Sequence, residues 1–168
     1  LNSSDTELNS TATILTTGGP QGLDGGGASN IFNGGHSGST SGAPVSNWGN
    51  GNNPEATANF AQFTTTPSAG QQIRYESLSL FHGSFNATGQ IKITYAIGSG
   101  PEVVALAPLS HTAANADPLT PKSEDFSDFT TTETVTWKIH LFGADAPNTG
   151  HRLDDITING SVTPVPEP

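Results

Sequence analysis

The chain has 168 residues, of which 32% are hydrophobic, with Gly 20, Pro 12 and no cysteine; this length fits one domain and excludes a disulfide framework and thiol chemistry. Asp+Glu 15 against Lys+Arg 5 gives a formal charge of −10. Such a surface repels nucleic acid and anionic lipid, while it attracts cations with hard oxygen ligands, Ca2+ above all.

Residues 1–17, LNSSDTELNSTATILTT, are polar and then briefly apolar, with a weak strand alternation over Thr11–Thr16. Residues 18–53 are rich in Gly, Ser and Asn, yet Leu23, Ile31, Phe32, Val45 and Trp48 are scattered through them. A pure linker has no use for Trp, so the segment reads as long surface loops pinned by short strands. Strands are predicted over 57–66, stopped by Pro67 and Gly70, and over 72–82, ended by Gly83. Residues 90–98 alternate, with Ile91, Ile93, Tyr95 and Ile97 on one face and Lys92 and Thr94 on the other. A short apolar strand is predicted over 102–107. Residues 134–143 alternate again, placing Val135, Trp137, Ile139 and Leu141 inward and Lys138 and His140 outward. The strand 152–162 closes an antiparallel sandwich over 1–163. Helix is disfavoured, because turn formers recur everywhere and strong helix formers do not dominate.

Candidate chemistry is sparse. SEDFSDF, with Glu124, Asp125 and Asp128 followed by Glu133, lacks the spacing of paired glycosidase carboxylates and reads as a solvated loop entering a strand. The histidines at 36, 82, 111, 140 and 151 have no zinc spacing, and no G-x-S-x-G elbow occurs. A non-enzymatic role is therefore expected. Trp48, in SNWGNGNN, is the exposed-aromatic candidate for stacking on a sugar, against the alternative of a ring that caps a loop; Trp137 alternates with core residues. Counting back by two from Ile158 and Ile156 puts Asp154 on the core-facing side and Asp155 on the solvent side. An inward carboxylate needs a partner, which a salt bridge to Arg152, a turn hydrogen bond or a cation would each supply.

The end of the chain, SVTPVPEP, holds three prolines in its last five residues, and proline fits a strand poorly. Following a β-rich domain, Pro166, Glu167 and Pro168 resemble the opening of the sorting signal of PEP-CTERM proteins of Gram-negative bacteria. The stretches NFAQFTTTPSAGQQIRYESLSLFHGSFNATGQIKITYAI and TWKIHLFGADAPNTGHRLDDITING are similar to the ectodomains of that family. The resemblance covers about 57–168 and departs at Ala96, Ile97 and Gly98, where the family often carries Ser-x-Asp-Gly. It implies export to the cell surface or medium, processing by an exosortase, residues 164–168 as a remnant of the signal, and no mature membrane anchor. The absence of methionine before Leu1 is expected from removal of a signal peptide.

LDDITI is also similar to the last strand of calcium-binding jelly-roll carbohydrate-binding modules. The expected fold is an all-β antiparallel jelly-roll sandwich with long Gly-rich loops in its first third. The likeness implies a structural Ca2+ held by Asp154 with Asp5, Glu7 or Asp24. The expected function is that of an exported structural protein of the surface or extracellular matrix, with polysaccharide or copies of itself as partners. Three alternatives stand: a lectin-like carbohydrate-binding module; an enzyme such as a lyase or glycosidase, which two carboxylates converging in a cleft would mark; and a filament subunit that donates its N-terminal strand TATILTT to a neighbour's sheet edge instead of folding it back.

Overall fold

A computed structural model describes residues 10–12, 16–18, 32–35, 60–85, 89–111, 120–142 and 150–167. Strands β1 (Ser10–Ala12), β2 (Thr16–Gly18), β3 (Phe32–Gly35), β4 (Phe60–Pro67) and β5 (Gln71–Phe85) are followed by β6 (Gly89–Ile97), β7 (Val103–His111), β8 (Thr120–Thr131), β9 (Val135–Phe142) and β10 (Gly150–Pro164). No helix occurs among the described residues. The strands form two antiparallel sheets. One has the order β1-β4-β9-β6-β7, with β2 also on β4; the other has the order β3-β10-β5-β8.

The faces follow from the alternation of the sequence. Ile91, Ile93 and Tyr95 of β6 and Val135, Trp137 and Ile139 of β9 are buried, as their spacing predicts. They meet Ile73, Tyr75, Leu78 and Leu80 of β5, Ala105 and Leu106 of β7, and Phe126 of β8 in one core between the sheets. Its centre is aromatic. Trp137 lies 5.6 Å from Tyr75 edge-on, and Tyr95 stacks on Phe129 at 4.4 Å and 6°. The indole N–H of Trp137 donates to Thr65 Oγ1 at 3.1 Å, and that hydroxyl is 2.7 Å from the Tyr75 phenol oxygen. Full burial of each large side chain contributes about 1.5–3 kcal/mol.

Irregular pairing breaks the period of two in several places, and three of these bear on how the sequence reads. On β5, Ile73 and Tyr75 face inward, as do Leu78, Leu80 and His82, so the alternation shifts by one residue around Glu76. Opposite that shift, β8 advances from Asp125 to Phe129 while β5 advances from Ser77 to Tyr75. Phe126 and Phe129, three residues apart, thereby both pack on the core. This irregular spacing is why SEDFSDF, read as a loop, is in fact part of β8. A third irregularity lies in β10, where Asp154 pairs with Phe81 and Thr157 with Ser79. At Gly160, across from Tyr75, a Cβ would stand 2.0 Å from the Arg74 carbonyl oxygen. Only glycine permits that approach.

The expectation that the proline-rich end leaves the sheet is corrected in part. β10 runs through Pro164, which pairs with Gln71, and the Val165 N–H donates to the Gly70 carbonyl at 2.9 Å. β3 pairs only with Gly150–Leu153 of β10. The missing N–H of Pro164 therefore costs no bond to β3. At the other end of the chain, β1 and β2 pair with Thr65–Pro67 and Phe60–Gln62 of the same chain's β4. β1 and β2 thus pair with the chain's own sheet.

Candidate functional site: the outer face of β4, β9 and β6

Where alternate residues of β6 and β9 point into the core, the residues between them form the outer face of the sheet. Register sets their neighbours. Lys92 lies opposite His140, Thr94 opposite Lys138, and Lys138 in turn opposite Gln62 of β4. Two of the chain's three lysines thus fall on adjacent strands of one face, diagonally about 7–8 Å apart. Sequence alternation placed Lys92, Thr94, Lys138 and His140 outward, and the register agrees. Thr94 is nonetheless only 3% exposed, because other side chains close over it.

The principal cover is Glu102, in the segment that enters β7. Its carboxylate bridges two donors: Lys138 Nζ bonds Oε1, and Thr94 Oγ1 donates to Oε2 at 3.1 Å. Thr94 has a single hydroxyl proton and gives it to Glu102. Its contact with His140 Nε2 at 3.3 Å then makes the imidazole N–H the donor. Lys138 Nζ also lies 4.7 Å from the centroid of the Phe60 ring, a cation–π contact, and Phe60 tilts against His140 with ring centroids 6.1 Å apart. The hydrogen bond from Lys138 is the main cause that holds the Glu102 carboxyl below its ordinary value, against partial burial that pushes it up. The cluster therefore presents an ionised carboxylate seated on an ammonium and a hydroxyl, beside an imidazole and an aromatic ring.

Few of the site residues expected from sequence fall among the described residues. Asp5, Glu7, Asp24 and Trp48 lie outside the described residues, as does Pro168. Pro166 and Glu167 follow β10 and are exposed. The count that made Asp154 core-facing passes through the β10 bulge, which adds one residue between Asp154 and Thr157. Asp154 is paired with Phe81, an exposed position, and Leu153 with His82, a buried one. A plain count of two across this bulge therefore assigns Asp154 no face, and its side chain lies outside those described. Among the described residues, no group of three or more His, Cys, Asp or Glu side chains could hold a metal ion.

The acidic stretch of β8 forms a separate surface feature. Asp128 accepts from Arg74 Nη2 at 2.5 Å, and Arg74 Nε is 3.5 Å from Glu76 Oε1. These groups are about half exposed, so solvent screens the network and its contribution is small.

No protein-family model matches the chain, and no curated protein matches it either. No helix among the described residues is long and apolar enough to cross a membrane.

Proposed function

We propose that the chain is the folded part of an exported, non-enzymatic surface or extracellular-matrix protein that contacts polysaccharide through the outer face of β4, β9 and β6. The observation that carries this reading is the Lys138–Glu102–Thr94–His140 cluster beside the Phe60 ring. Hydroxyl, amide and charged groups spaced by strand register suit a flexible, hydroxyl-rich chain lying across a sheet. The ring offers an apolar surface to the C–H face of a sugar. Lys138 holds the Glu102 carboxylate ionised, which does not suit it to act as a general acid.

The strand orders β3-β10-β5-β8 and β4-β9-β6-β7 support a jelly-roll reading. In that architecture two four-stranded sheets face each other and most successive strands pass from one sheet to the other; here only the β6–β7 hairpin stays within one sheet among the described strands β3 to β10. Export by the PEP-CTERM route is supported by the PEP motif and by the exposure of Val165, Pro166 and Glu167 beyond the last paired residue, where a processing enzyme could reach them.

Fractionation of the native host tests the reading. The expected result is mature protein in the surface or extracellular fraction, of a mass ending near the motif, which co-sediments with the host's exopolysaccharide and releases no new reducing ends from it. A cytoplasmic protein, or one absent from the polysaccharide pellet, would overturn the proposal.

A further inference from the structure

Resting on the polysaccharide reading above, we propose that the outer face of β4, β9 and β6 is a carboxylate-recognition site for a uronate-bearing polysaccharide, and that Glu102 is a built-in competitor for it. The argument begins with where the positive charge lies. A chain of formal charge −10 has three lysines, and two of them share this face. The site already holds a carboxylate. Glu102 reaches it from the segment entering β7 and uses the contacts that an incoming carboxylate would need: an ammonium at Lys138 and a hydroxyl at Thr94, with His140 packed behind the hydroxyl. Glu102 thus shows the stereochemistry by which this face takes a carboxylate.

Glu102 is also well placed to yield. Its side chain is 41% exposed while that of Lys138 is 26% exposed, so the acid sits on the solvent side of the pair. A ligand carboxylate can replace it without opening the core. Lys92, opposite His140 and diagonal to Lys138, supplies a second cation for the next acidic unit of the same polymer. Phe60, under Lys138 on the β4 side, supplies an apolar surface flanking the pair. Repulsion by the rest of the acidic surface does not forbid this. Exposed charges more than about 10 Å away are largely screened at 0.1 M salt, whereas groups in contact are not. Charge-assisted hydrogen bonds supply the affinity.

The test uses the full chain and polygalacturonate as the probe, with dextran as the neutral control and binding read by titration calorimetry or affinity electrophoresis. Native-like circular dichroism and melting of each variant are checked first. The expected results are binding of polygalacturonate but not dextran, loss of affinity on raising the salt, and about tenfold weaker binding in Lys92→Ala. Glu102→Gln keeps the shape and the Thr94 contact but removes the competing charge, and it is expected to bind several-fold more tightly than the parent chain. Equal binding of dextran, Lys92→Ala binding like the parent, or Glu102→Gln binding no better would each overturn the inference. If polygalacturonate fails with every variant while the native protein still co-sediments with its own exopolysaccharide, the acidic ligand is rejected and the broader polysaccharide reading survives.

Discussion

Thr65→Val is the most informative perturbation of the core, because it changes hydrogen bonding at nearly constant shape. In the folded chain Thr65 Oγ1 accepts from the indole N–H of Trp137 at 3.1 Å and lies 2.7 Å from the Tyr75 phenol oxygen. Trp137 is fully buried and Tyr75 is 2% exposed, so water cannot replace the lost oxygen at the indole. A buried donor without an acceptor costs about 1–3 kcal/mol, and loss of the Tyr75 contact about 0.5–1.5 kcal/mol. The added methyl recovers less than about 1 kcal/mol. The net expectation is a loss of about 2–3 kcal/mol, or roughly 5–10 °C in Tm for a domain of this size.

Urea unfolding followed by circular dichroism measures the cost, and a second background assigns it. In Trp137→Phe the indole donor is gone, so adding Thr65→Val should cost at least about 1 kcal/mol less than it does in the parent chain. Thr65→Ser keeps the hydroxyl and should lose only about 1 kcal/mol for its missing methyl. A Thr65→Val chain as stable as the parent, or a cost unchanged in the Trp137→Phe background, would refute the claim that this hydroxyl satisfies the indole.

Gly160→Ala is expected to cost about 1–3 kcal/mol in the same unfolding assay, because the new Cβ meets the fixed Arg74 carbonyl at 2.0 Å; a neutral result would mean that the strands do not approach so closely. Glu102 has a folded-state pKa below its ordinary 4.5, so its pairing stabilises the fold above that value, and the contribution is lost as pH falls through the lower folded value. The stability gap between the parent and Glu102→Gln should therefore be present at neutral pH and close in acid, and a gap independent of pH would contradict the pairing with Lys138. If Asp154 and an N-terminal acid hold Ca2+, EDTA should lower Tm by several degrees, since a site at a hundredfold excess of ion over Kd contributes about 3 kcal/mol; an unchanged melting curve rejects the site. Deleting Leu1 to Gly18 removes β1 and β2 from β4 and bares an edge of Phe, Gln and Thr residues, so the truncated chain should self-associate in a concentration-dependent way; a stable monomer by light scattering would show that this edge needs no cover.

Legibility from sequence tracked regularity of the backbone. β6 and β9 keep a strict alternation, and their extents and inward residues were readable to within a residue or so. β5 was readable only in part: it runs on to Phe85 rather than ending at Gly83, and its faces were hidden because the bulge at Glu76 shifts the alternation between Tyr75 and Leu78. β8 was hidden altogether. Its two core residues, Phe126 and Phe129, are three apart, a spacing that belongs neither to an unbroken strand nor to a helix face of useful length. The face of Asp154 was not readable for the same reason. One additional residue in β10 separates it from the isoleucines used to orient it, and a slip of one residue exchanges the two faces of a strand.

The candidate site was half legible, and the missing half shows where sequence reasoning ends. Lys92, Thr94, Lys138 and His140 were each assigned to the solvent side, but alternation assigns a face and says nothing about which strands are neighbours. β6 and β9 are separated by some forty residues of chain, and only the sheet order places Lys92 opposite His140 and Thr94 opposite Lys138. Glu102 was further out of reach. It stands just before β7, where no periodicity applies, and the approach of that strand to β6 is itself irregular, with shifts between Ile91, Ile93 and Thr94. Those shifts lie beyond Val104, however, and next to Glu102 the pairing is regular: Val104 faces Thr94 and Val103 faces Tyr95. Continuing that register sets Glu102 level with Ala96 and diagonal to Thr94 on the same side of the sheet. The carboxylate that meets Lys138 and covers Thr94 is therefore placed by the order β9-β6-β7, which alternation within any one strand does not reveal.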